Sequence, residues 1–173
     1  MEILRFFQNL FRRNRADIKI GINTKISKKS KIETLFGGKI TIGNNCQIED
    51  FSMLLTYGGN IEIGDECSVN PFCVLYGHGG LKVGNKVRIA THTVIIPANH
   101  VFDNITIPIM NQPETRKGIV IGNDVWIGNG ARILDGVVLG SGVVVGAGSV
   151  VTQSFPDNVV IAGVPAKIIK HRK

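Results

Sequence analysis

Four histidines and three cysteines are the side chains in this sequence best suited to nucleophilic, acid–base or metal chemistry. An imidazole ionises near working pH, about 6.5 when unperturbed, so any of His78, His92, His100 and His171 could take a proton from a weak nucleophile. A zinc site would need three or four such ligands to converge. A reactive cysteine would need to stand partly exposed beside a cation or a helix N-terminus. Cys46, Cys67 and Cys73 are too few, and odd in number, for a disulfide framework. His100 closes Pro97-Ala-Asn-His100, and His78 lies in the glycine-rich run Tyr76-Gly-His-Gly-Gly80. What each can do depends on the elements that hold it.

Those elements repeat every six residues, opening on Ile, Val or Leu. The openers run Ile20, Ile26, Ile32; Ile42, Ile48, Leu54; Ile63, Val69, Leu75; Val83, Ile89, Ile95; and, after a break, Ile121, Ile127, Ile133, Leu139, Val145, Val151. Four residues on, the first two hexads of each triplet carry Thr24, Ser30, Cys46, Ser52, Cys67, Cys73, Val87, Thr93, Val125, Ala131, Val143 and Ser149, all small or β-branched. Each hexad therefore has two inward positions, one for a large aliphatic and one for a small filler. Three hexads make one coil of a three-sided solenoid, and six coils can bury their apolar faces on one another. A high glycine count (21 residues) beside only 6% aromatics agrees with short strands joined by tight turns. Gly after each triplet's opener (Gly21, Gly43, Gly64, Gly84, Gly122, Gly140) reads as a backbone turn that a Cβ would hinder.

The cysteines all fall in the small inward slot, where a thiol acts as a small hydrophobe rather than a nucleophile. His92 sits mid-coil and reads as structural. His100 stands at the mouth of the longest break in the rhythm, about 101–118, which is long enough to be functional and polar enough to be exposed. Glu114, Arg116 and Lys117 in that loop are candidates for gripping a charged ligand.

The net charge of +7 belongs to the chain's ends. Residues 1–31 hold nine Lys or Arg against Glu2 and Asp17, the tail adds Lys167, Lys170, Arg172 and Lys173, and the body between is mildly acidic. Nucleic acid is therefore not an expected partner. Residues 2–15 set Ile3, Leu4, Phe6, Phe7, Leu10 and Phe11 against Arg5, Arg12 and Arg13, the pattern of an amphipathic helix. Such a helix covers the first coil, or rests on an anionic membrane surface or a partner. The expected layout is this helix or cap over 1–18, the solenoid over 19–165 with its loop at 101–118, and a basic C-terminal cap helix over 166–173. Without a signal peptide or an apolar run long enough to span a bilayer, a reduced cytoplasmic setting is expected, with peripheral membrane contact through the N-terminal helix left open.

The hexads, the segment Ile121-Gly-Asn-Asp-Val-Trp-Ile-Gly128 and the ending Pro156-Asp-Asn-Val-Val-Ile-Ala-Gly-Val-Pro-Ala-Lys167 resemble the hexapeptide-repeat acyltransferases over roughly 20–170. The nearest branch contains the galactoside and maltose O-acetyltransferases and the sugar O-acetyltransferases of polysaccharide biosynthesis. The resemblance implies an all-β left-handed parallel β-helix, a homotrimer with sites between subunits, acetyl-CoA as donor and a sugar or glycan hydroxyl as acceptor. It implies His100 as general base and Asn70 as the residue holding the acceptor or transition state. His78, Trp126 and Arg116 are then acceptor-side candidates. Asn129, Ala147, Thr152, Lys167 and Lys170 are the coenzyme A candidates by family position. Thr152-Gln153 departs from the Thr-Lys common among relatives, which leaves one phosphate contact either missing or supplied by Arg172 or Lys173. The γ-class carbonic anhydrases share the fold and bind zinc, but His78, His92 and His100 do not match their pattern, so no metal requirement is expected. Two other acceptors remain open, an antibiotic and the amino group of a nucleotide sugar. So does a non-catalytic binding or scaffold solenoid, which a pure scaffold's lack of need for a base at His100 argues against.

Overall fold

The computed structural model describes residues 17–173. The described chain winds as a parallel β-helix whose three faces carry the three hexads of each triplet. The first face stacks Ile18–Ile20, Ile40–Ile42, Ile61–Ile63, Leu81–Val83, Ile119–Ile121 and Val138–Leu139. The second opens with Lys25–Ile26 and the third with Lys31–Glu33, and each repeats once per coil.

Register confirms the triplet reading opener by opener. Ile20, Ile42, Ile63, Val83, Ile121 and Leu139 pair in one column. Ile26, Ile48, Val69, Ile89, Ile127 and Val145 form the second, which Ile161 extends. Ile32, Leu54, Leu75, Ile95, Ile133 and Val151 form the third. From coil two onward these side chains are buried, each worth about 1.5–3 kcal/mol of removal from water. The small slots fill the remaining space, with Cys46, Cys67, Cys73, Val87, Thr93, Ala131 and Ser149 at 1% exposure or less.

The glycines after the openers serve a different end from the one expected. They do not adopt left-handed backbone; instead a Cβ on Gly43 would lie 2.6 Å from the Gly64 carbonyl, so they let adjacent coils approach. The left-handed turn falls two residues later, at Asn23, Asn45, Glu66, Lys86 and Asp124. Between these positions a polar ladder joins the coils. Asn44 Oδ1 accepts from Ile22 N, Asp65 Oδ1 from Asn44 N, Asn85 Oδ1 from Asp65 N and Asn123 Oδ1 from Asn85 N, all at 2.6–2.8 Å.

The expectation of a C-terminal helix is corrected. No α-helix occurs among the described residues. The expected C-terminal cap helix over 166–173 is a strand, Ala166–His171, antiparallel to Val159–Gly163. The second-face column ends at Val159–Gly163 with an open edge, and the tail supplies the backbone partners that edge lacks. Residues 2–15, read as an amphipathic helix, lie outside the described residues.

Candidate active site

The long interruption begins as a two-residue antiparallel ladder, Asn99–His100 against Glu114–Thr115, with His100 directly opposite Glu114. The loop between is tied from within by Gln112, whose Nε2 donates to the carbonyls of Asn104 and Ile107 at 2.8 Å. It is exposed, as expected, and beside its polar residues it also presents large apolar ones: Phe102, Ile105, Ile107, Ile109 and Met110 all face outward. Asp135, from the coil above, clamps the returning strand. Its carboxylate accepts from Thr115 Oγ1 at 2.9 Å and from the backbone N–H groups of Lys117 and Gly118 at 2.9 and 3.1 Å.

Across this ladder His100 Nε2 lies 3.9 Å from Glu114 Oε1. The other oxygen of Glu114 accepts from Arg116 Nε and Nη2 at 3.1 and 2.9 Å. The Arg116 hydrogen bond holds the Glu114 carboxyl below the usual carboxylate range, with the charges of Arg116, His100 and His78 adding to it. Glu114 is thus an anion held between an imidazole and a guanidinium. The sequence named it only as a loop residue that could grip a ligand; its place opposite His100 came from the ladder register, which no local pattern announces.

His78 supplies the neighbouring wall. Its ring stacks on Tyr57 at 4.8 Å and tilts against Tyr76 at 5.4 Å, while the two tyrosines meet edge to face at 4.9 Å. Burial first, and then the Arg116 charge, push the His78 pKa down. Its Nδ1 is buried without a hydrogen-bond partner among the described residues. Burial, and then Tyr57, raise the Tyr76 pKa, keeping that phenol protonated. His78 borders two cavities. One of about 330 Å³ is lined by Tyr76, His78, Ile96, Asn99, His100 and Glu114. The other, about 540 Å³, is a glycine-rich cleft that includes Gly58, Gly80, Lys82 and Arg116. The described chain therefore sets His100, His78 and Arg116 near one another, together with Glu114, Tyr57 and Tyr76.

The remaining candidates lie elsewhere on the protomer. Asn70 follows Val69 into the corner between the second and third faces, whereas His100 projects beyond the end of the third. Asn129 and Ala147 share Asn70's corner in later coils, where Gly148 N donates to the Asn129 carbonyl at 2.8 Å. Thr152 is exposed just after the last third-face strand. Trp126 points outward from the second face at 55% exposure, paired in register with Arg88 and Val144. It borders a cavity of about 730 Å³ with Val144, Val160, Lys170, His171, Arg172 and Lys173, apart from the residues around His100. Lys167 is exposed on the C-terminal strand opposite Ala162. His92 stacks on Phe72 at 5.1 Å at the second-to-third corner, so the three body histidines do not converge. No group of three His, Cys, Asp or Glu able to hold a metal occurs among the described residues.

Comparison with known proteins agrees with this architecture. Residues 118–153 match the family model described as bacterial transferase hexapeptide (six repeats). A protein of Mycobacterium tuberculosis (strain ATCC 25618 / H37Rv) named "Probable acetyltransferase Rv3034c" is 30% identical over 93 residues, covering 54% of this chain and 31% of that protein. The match thus spans about a third of that relative's length. A variant of AntD, an N-acyltransferase from Bacillus cereus, solved with dTDP-4-amino-4,6-dideoxyglucose and coenzyme A, is 32% identical. It covers 92% of this chain and 87% of its own, with a TM-score of 0.78. VCA0836, a hexapeptide-repeat containing acetyltransferase from Vibrio cholerae O1 biovar eltor solved with acetyl coenzyme A, is 28% identical. That match covers 100% of this chain and 79% of the other, with a TM-score of 0.61. With its columns of hexads in register and a likeness to AntD along nearly the whole chain, this protein belongs to the hexapeptide-repeat, left-handed β-helix acyltransferases.

Proposed function

We propose that the protein is a coenzyme A-dependent acyltransferase that moves an acetyl group from acetyl-CoA to a hydroxyl of a sugar or glycan precursor, with His100 as general base. The observation that carries this reading is the exposed His100 imidazole in a cavity it shares with His78, opposite the Glu114 carboxylate. A hydroxyl is a poor nucleophile until its proton is removed. His100 takes that proton, the oxygen attacks the thioester carbonyl, and the proton then passes to the departing CoA thiolate. Backbone N–H groups steady the tetrahedral oxyanion.

Asn70, Asn129 and Ala147 share a corner that is not His100's, and this separation supports a homotrimer in which one copy brings its acyl-CoA corner to the next copy's His100. Pantetheine amides would pair with exposed coil backbone along that corner. Lys167, Lys170 and the cations around Trp126 would meet the phosphates, and Thr152 would stand at the edge of the last coil.

A second reading changes the acceptor. AntD was solved with a dTDP-linked amino sugar and also with 3-hydroxybutyryl-CoA, which favours acyl transfer to the amine of a nucleotide sugar. A neutral amine carries its own attacking lone pair and leans less on a base. Release of CoA thiol, measured for neutral sugars, nucleotide amino sugars and aminoglycoside-type antibiotics with acetyl- and 3-hydroxybutyryl-CoA, separates these acceptors. His100→Ala is expected to slow transfer to a hydroxyl by about 10²–10⁴-fold. Turnover by that variant at the wild-type rate removes His100 from the mechanism. Failure to bind acyl-CoA at equilibrium would favour a scaffold instead.

A further inference from the structure

His100 and Glu114 are placed to act together, yet they do not touch. The ladder sets them opposite each other, and Asp135 fixes the return strand that carries Glu114. The 3.9 Å gap is about 1 Å longer than a charge-assisted hydrogen bond of about 2.8 Å. Arg116 holds the carboxylate back by gripping Oε2 with two of its nitrogens. That grip joins residues two apart in sequence, Glu114 on the return strand and Arg116 just past its end, with Arg116 about half exposed, and such pairs are weak and easily exchanged.

The third nitrogen of Arg116 looks the other way. Nη1 lies 3.7 Å from where a Cβ on Gly58 would stand, in the cleft that also contains Lys82. Gly80, with a φ of 97°, would place its Cβ in open space, so the cleft is roomy. Glu62 is the carboxylate among its lining residues. His78 borders both this cleft and the His100 cavity, with its Nδ1 buried and without a partner among the described residues.

We propose that Glu114 is the positioning residue of His100, and that an anionic group of the acceptor, seated against Arg116 in the glycine-lined cleft, releases it to do so. The bound anion shares the guanidinium charge, the grip on Glu114 weakens, and the carboxylate turns to hold the imidazole and stabilise its protonated form. The acceptor class is accordingly a sugar bearing a phosphate or carboxylate. The inference rests on the reading of His100 as the base.

The test follows the ring resonances of His100 by NMR against pH in the full-length protein, with inorganic phosphate as the anion. The groups facing His100 are Glu114 from the return strand, and Tyr76 and His78 from the coil below, with Arg116 behind Glu114. Phosphate is expected to move the wild-type titration upward by about half a pH unit, because an approaching carboxylate favours the imidazolium. Glu114→Gln should lower the midpoint and abolish the phosphate response. Arg116→Gln should raise the midpoint without phosphate and also abolish the response, and Glu114→Asp should restore part of what Glu114→Gln loses. A midpoint identical in wild type and Glu114→Gln overturns the proposal, as does a wild type blind to phosphate or a response that survives in Arg116→Gln. These readings need no turnover, so a fully active His100→Ala enzyme would sink the base assignment while leaving this result to stand by itself.

Discussion

A side chain's chemistry here is set by which slot of the hexad it occupies. His78 and His100 sit in corner insertions, beyond the strict repeat, and so can meet solvent and ligand. Cys67 sits in the repeat and cannot. Burial pushes its thiol up to about 11, and its S–H donates to the Gly84 carbonyl at 3.1 Å. Burial also raises the Cys73 thiol. A folded-state pKa above that of the unfolded chain, about 8.5 for a thiol, means the native state is favoured by this group only while it stays protonated. Stability should therefore be level below about pH 8.5 and fall as the pH climbs toward 11. Cys67→Val should flatten much of that decline, since Val87 fills the same slot one coil on at 0% exposure. Urea midpoints measured between pH 8 and 11 check this; an unchanged alkaline slope in Cys67→Val would place its origin elsewhere.

At the scale of elements, the coils were legible because each hexad is a local pattern that repeats with little variation. Column after column of openers pairs as the spacing demanded. The hairpin that carries Glu114 was not legible, because the loop breaks the period and its closing pair, His100 with Glu114, depends on where the chain returns. The C-terminal helix was misread for a related reason. The basic residues Lys167 and Lys170 suggested a solvated helix, but β-branched Ile168 and Ile169 suit a strand, and the open edge of Val159–Gly163 offers that strand its backbone partners. Gly79 shows how the coil and the loop depend on each other. A Cβ there would lie 2.6 Å from the Arg116 carbonyl carbon and 2.7 Å from Gly118 N. Gly79→Ala should push the return strand outward and carry Glu114 and Arg116 with it. Acceptor turnover should drop by about tenfold or more while acyl-CoA binding is retained, as a displacement of about 1 Å can cost such factors. Equal loss of both would mean that the coil itself, rather than the loop, had been disturbed.

Taken whole, the molecule is a stack in which each coil is stabilised by the coils on either side, so the same residue type at the same hexad position should matter differently along the axis. Ile26 and Ile127 make the comparison, since both open second-face hexads of the same ladder column. Ile127 is fully buried between coils four and six, with Ile89 and Val145 as register partners. Ile26 has a strand partner on one side only among the described residues, at Ile48, and is partly buried. Truncating Ile127 to Ala leaves a cavity the neighbouring coils cannot collapse into without breaking their own register, and should cost about 2–5 kcal/mol. Truncating Ile26 removes less buried surface and opens no enclosed cavity, so its cost should stay below about 2 kcal/mol. Denaturant unfolding of the two variants reads the difference directly. Equal losses would mean that the first coil is packed as tightly as the middle of the stack, with a further layer of chain covering Ile26.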